Sequence, residues 1–83
     1  MRALYFASVR ERVGITEEEI DPPKSVANVA QLIDWLASRG EGYAAAFANK
    51  TAIRTAIDKN HARRDSLIAS AREVAFFPPM TGG

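Results

Sequence analysis

The most apolar stretches of this 83-residue chain stand near its two ends: Ala3-Leu4-Tyr5-Phe6-Ala7-Ser8-Val9 and Val74-Ala75-Phe76-Phe77. Each reads as a strand with large side chains on both faces, and such strands belong in the interior of a sheet. Two neighbouring central strands from opposite ends of a chain can lie parallel only if a helix crosses over between them. That requirement fixes most of the fold before the middle of the sequence is read.

The middle supplies the helix. Pro22-Pro23 breaks the chain after Asp21, Ser25 is a candidate N-cap, and Arg39-Gly40 is a C-terminal stop. Between them Val26, Val29, Ala30, Ile33, Leu36 and Ala37 share one helical face, with Leu32 and Trp35 flanking it. Trp35 is expected to pack rather than to stack a ligand. Ahead of the helix, Arg10 to Gly14 reads as a polar turn. Ile15 to Ile20 reads as an edge strand, its three glutamates forming a solvated face that discourages edge-to-edge pairing. Tyr43 to Ala48 predicts a short second helix, Ala52 to Asp58 alternates as a strand, and Lys59 to Asp65 reads as a charged turn. The order strand, strand, helix, short helix, strand, strand predicts an α+β domain over residues 1–77. Its mixed sheet carries one main helix on one face, the ubiquitin-like β-grasp arrangement. The other sheet face then lacks a helix, and aromatics such as Tyr5, Phe6, Phe76 and Phe77 on alternate sides of the strands make it an apolar surface in need of a partner.

Composition narrows function by exclusion. Eleven basic against ten acidic residues, a formal net charge of +1, offer no electrostatic case for nucleic acid. No apolar run reaches a membrane span of ~20 residues, the first residues do not read as a signal peptide, and a cytoplasmic protein is expected. The sequence has no cysteine and one histidine, so thiolate catalysis, disulfides and a metal site built by this chain alone are not expected. Asp58, His61 and Asp65 are residue types suited to metal or acid–base chemistry, but in a hydrophilic turn they read as solvated. Lys59, Arg63 and Arg64 form a basic patch that reads as a soluble turn or as help in docking an acidic surface. The glycines, at 14, 40, 42, 82 and 83, have neither phosphate-loop nor nucleophile-elbow spacing.

What remains is the end of the chain. Pro78 and Pro79 cannot donate ladder hydrogen bonds, so the last strand must stop there. The six residues Pro78-Pro79-Met80-Thr81-Gly82-Gly83 can then reach roughly 20 Å from the fold. Gly82 and Gly83 lack a Cβ and can enter a channel too narrow for other residues. A carboxylate on such an arm is a poor acyl donor until ATP on another protein adenylates it. A sulfur nucleophile can then displace AMP to leave a thiocarboxylate, or a lysine can displace it to form an isopeptide bond.

Phe6-Ala7-Ser8-Val9-Arg10-Glu11-Arg12-Val13-Gly14, together with Glu73 to Gly83, resembles the small subunit of molybdopterin synthase. The resemblance extends as a pattern along nearly the whole chain, and only its two ends are specific. It implies a β-grasp sulfur carrier. Gly83 would be adenylated by a ubiquitin-activating-type enzyme, converted to a thiocarboxylate with sulfur from a donating enzyme, and inserted into the large synthase subunit. There it would supply sulfur to cyclic pyranopterin monophosphate. The implied assembly is a heterotetramer with the catalytic side chains on the large subunit. This chain would bind no cofactor itself, ATP being used by the activating partner. Pro78 to Gly82 would be the inserted tail, and Phe76 and Phe77 the expected partner surface. The chain departs from the family at Ser70-Ala71-Arg72, where an acidic, glycine-containing turn is usual. Carriers of the thiamine pathway resemble it only in fold and final glycines. A carrier of another pathway, a protein modifier and a binding module with an inert tail stay open as alternatives.

Overall fold

The computed structural model describes residues 1–79. Strand β1 is Arg2–Tyr5 and helix α1 is Ala7–Val13. Strand β2, Glu17–Glu19, precedes the main helix α2, Val29–Ala37, and a short helix α3, Glu41–Ala46. A 3-10 turn at Lys50–Ala52 leads into β3, Arg54–Ile57, then β4, Asn60–Ala62, and β5, Glu73–Phe77. The described residues form one mixed sheet in the order β2-β1-β5-β3-β4. The two apolar end strands are central and parallel, Arg2 to Tyr5 pairing with Glu73 to Phe76. Every other pairing is antiparallel, and β2 is an edge, as the glutamates predicted.

One face of the sheet is covered by the helices. Val29, Leu32, Ile33 and Leu36 of α2 are buried against Ala3, Tyr5, Val74 and Phe76 of the sheet, with Val9 and Phe47 closing the sides. Leu32 is fully buried. It lies in the apolar stripe of α2 and not beside it.

Beyond strand ends that shift by a residue or two, four features differ from the sequence reading. The first strand stops at Tyr5, and residues 7–13 are helical where a strand tail and a polar turn were expected. Ala7 turns the chain with a φ of 52°, and Gly14 ends the helix in the left-handed region, its N–H bonded to the Arg10 carbonyl at 2.8 Å. Val9 alone in α1 is buried, so the seven-residue helix has almost no periodic signal. The main helix begins after Asn28 and not Ser25. Asn28 accepts from the Gln31 N–H at 2.9 Å while the Gln31 side chain accepts from the Ala27 N–H at 2.7 Å, a near-reciprocal capping arrangement. The charged turn after β3 is a hairpin. Asp58 and Lys59, at φ 48° and 72°, make a two-residue loop between the register partners Ile57 and Asn60. Positive φ at both positions is what a type I′ turn requires, but Asp-Lys lacks the glycine that usually announces one. The short second helix starts at Glu41, two residues before the expected Tyr43.

Candidate functional site

Strand β5 ends at Phe77. The Phe76 carbonyl accepts from the Phe6 N–H at 3.1 Å, and Arg54 is the register partner of Phe77. Beyond that point Pro78 and Pro79 are half-buried, and Met80, Thr81, Gly82 and Gly83 lie outside the described residues.

Strand alternation sends Phe76 and Phe77 to opposite faces. Phe76 is fully buried, its ring stacked 6.0 Å from Tyr5 and edge-on to Phe47 at 5.3 Å. It therefore offers a partner no surface, so of the two rings named for the partner surface, whose orientations the sequence leaves open, Phe76 is corrected to a core residue and only Phe77 faces outward. Phe77 is half-buried on the face without helices, its ring 6.2 Å from that of His61. Across this open face Leu4, Ala75, Ala56 and His61 stand in register, and Phe6 is 45% exposed beside the end of β5. The centre of the face is thus apolar. Its β2 flank is charged but internally matched, Arg2 lying 3.5 Å from Glu17 and 3.9 Å from Glu19.

The Asp58, His61 and Asp65 triplet does not converge. No group of histidine, cysteine, aspartate or glutamate among the described residues is arranged to hold a metal ion. Asp58 instead accepts from the Arg72 and Glu73 N–H groups at 3.1 and 3.0 Å, tying the hairpin turn to the first residue of β5. Its carboxylate thus serves the Ser70-Ala71-Arg72 turn from another part of the chain. His61 faces Phe77, and Asp65 pairs with Arg63 at 3.6 Å on the surface.

The sequence predicts a solvated face for all three glutamates of β2, but Glu18 is half-buried on the helix side. Its Oε2 accepts from the Tyr5 hydroxyl at 2.8 Å and the Tyr43 hydroxyl at 2.7 Å, with the Arg39 guanidinium at 3.2 Å. That guanidinium also lies 5.1 Å over the Trp35 ring and 5.0 Å over that of Tyr43. Desolvation works against the charged form of Glu18, but the two phenols and Arg39 outweigh it and hold the carboxyl below its usual range. Burial, then the neighbouring carboxylate, pushes both phenols up. The signal was there in the alternation: Glu18 must face opposite to Glu17 and Glu19.

A cavity of about 670 Å³ lined by Met1, Ile20, Pro22, Val26, Leu67 and Ile68 lies near the start of β5, at the other end of that strand from Pro78. No helix among the described residues is long and apolar enough to cross a membrane.

The ThiS family model matches residues 3–83. The chain belongs to the ThiS family. A relative from Haemophilus influenzae, a molybdopterin synthase sulfur carrier subunit, is 30% identical over 83 residues, covering 100% of this chain and 99% of that one. A solved structure from Pyrococcus furiosus assigned to molybdopterin converting factor, subunit 1, is 26% identical with a TM-score of 0.74, covering 95% of both chains. SAMP1 from Haloferax volcanii, 24% identical with a TM-score of 0.72 over 100% of this chain and 98% of that one, shares the fold. This ThiS-family chain is therefore a ubiquitin-like β-grasp domain, as its strand order requires.

Proposed function

We propose that this chain is the sulfur carrier of molybdopterin synthase, acting in the cytoplasm through Gly83. The observation that carries the reading is the path of β5: a central strand, anchored by Phe76 in the core, that delivers Pro78 and Pro79 to the rim of an open apolar face. The family match running to residue 83 and the names of relatives similar over 92% or more of their length support it.

In this reading the folded body is a holder and a recognition surface. An adenylating enzyme of the ubiquitin-activating type joins the Gly83 carboxylate to AMP, releasing pyrophosphate from ATP. Sulfur from a donating enzyme then displaces AMP to give the thiocarboxylate. The large synthase subunit covers the open face at Phe77 and Phe6 and receives the tail from Pro78 to Gly82. Entering as an arm, the terminal group brings its sulfur against cyclic pyranopterin monophosphate in a fixed geometry, converting a bimolecular encounter into a local one. The assembly is a heterotetramer in which this chain supplies sulfur and the large subunit the catalytic side chains.

The test is the intact mass of the protein co-expressed with its activating enzyme and supplied with sulfur. A species in which one oxygen of Gly83 is replaced by sulfur is the expected result. If instead the chain appears only as adducts on lysine side chains, it is a protein modifier. A form lacking Gly82 and Gly83 that still restores cofactor synthesis in a deficient cell overturns the carrier reading outright.

A further inference from the structure

Arg54 is the register partner of Phe77, and its place in β3, between the buried Thr55 and the 3-10 turn, turns it to the open face. His61, in register with Ala56 and packed edge-on to Phe77, stands on the same face. The β3–β4 flank of the apolar centre therefore carries the guanidinium of Arg54. It differs in kind from the β2 flank, where Arg2 already has Glu17 and Glu19 as partners. Arg63 has Asp65 at 3.6 Å, whereas no carboxylate among the described residues lies within ion-pair distance of Arg54.

A protein that covers Phe77 must also strip water from the guanidinium beside it. Desolvating a cation without supplying a counter-charge is costly, and leaving it unpaired removes much of what the apolar contact contributes. The planar fork of an arginine is matched best by a carboxylate. Resting on the reading that the large synthase subunit docks on this face, we propose that its docking surface presents a carboxylate to Arg54. The apolar contact of Phe77 and Phe6 is then held in register by one ion pair on the β3–β4 side.

The experiment is calorimetric titration of this protein into its large subunit at low and high ionic strength, comparing the native chain with Arg54→Gln, Arg54→Lys and Phe77→Ala. Arg54→Gln should weaken binding about tenfold at low salt and flatten the salt dependence, with Arg54→Lys keeping part of both. Unchanged affinity, or a native salt dependence, in Arg54→Gln overturns the ion pair. Phe77→Ala separates the two layers: if it too binds like the native chain, the docking reading itself fails. If it weakens binding while Arg54→Gln does not, only the carboxylate is lost. An Arg54→Gln effect that disappears once Gly82 and Gly83 are removed would mean that Arg54 holds this chain's own terminus, and would also overturn the inference.

Discussion

The hydroxyl of Tyr5 donates to Glu18 across 2.8 Å, joining the central strand β1 to the edge strand β2 beneath the helices. Tyr43 of α3 and Arg39 complete the cluster, so one carboxylate ties two strands to the segment that follows α2. Replacing Glu18 by Ala strands a buried phenol without its acceptor and should cost about 2 kcal/mol. Glu17→Ala, on the solvated side of the same strand, should stay within about 0.5 kcal/mol. Urea unfolding of both variants against the native protein measures the difference.

The same cluster sets a pH window. The Glu18 carboxyl is held below its ordinary value of 4.5, so its contribution is complete above that value and is lost as pH falls through the depressed one. The phenols of Tyr5 and Tyr43 are raised above their ordinary 10.0, so their contribution is complete below pH 10 and is lost as pH climbs beyond it. Stability measured from acid to alkaline pH should fall at both ends, and Glu18→Gln should reduce the acid part of the loss.

Phe76 and Phe77 should separate folding from association. Phe76→Ala empties a site among Tyr5, Phe47 and the α2 stripe and should cost about 3–5 kcal/mol. Phe77→Ala should be milder in unfolding experiments and should weaken binding to the large subunit. A double comparison by thermal unfolding and titration decides it.

Gly42 holds helix α3 against α1. A Cβ there would stand 2.6 Å from the Arg12 carbonyl oxygen, which is backbone and cannot swing aside. Gly42→Ala should therefore destabilise by about 1–3 kcal/mol. Gly40→Ala, whose Cβ would meet only the Tyr43 ring at 3.7 Å, should be nearly neutral. Parallel denaturation curves test the pair.

The β3–β4 turn is open to improvement. Lys59 holds a φ of 72°, which a glycine adopts without strain, so Lys59→Gly should stabilise by about 0.5–1 kcal/mol. Asp58→Ala should lose about 1–2 kcal/mol, because the Arg72 and Glu73 N–H groups lose their acceptor. Shifts in urea midpoint with unchanged slope would report both.

The sequence by itself determined the parallel pairing of its first and last strands, the crossover helix, the edge position of the glutamate strand and the end of β5 at Pro78. These follow from apolar content, helical spacing and missing N–H donors, all of which are local. Tertiary structure decided what depends on residues far apart in the chain. Only the folded sheet shows that Phe76 points inward and Phe77 outward, because two adjacent aromatics look alike until the helices cover one face. Helix α1 was illegible because Val9 alone anchors it. The β4 hairpin was illegible because its positive φ values fall on Asp58 and Lys59 and are held by packing and by the Asp58 bonds to β5. Glu18 could be placed on the inner side by alternation, but its partners Tyr5, Arg39 and Tyr43 lie 13 to 25 residues away, and only the fold brings them to one carboxylate.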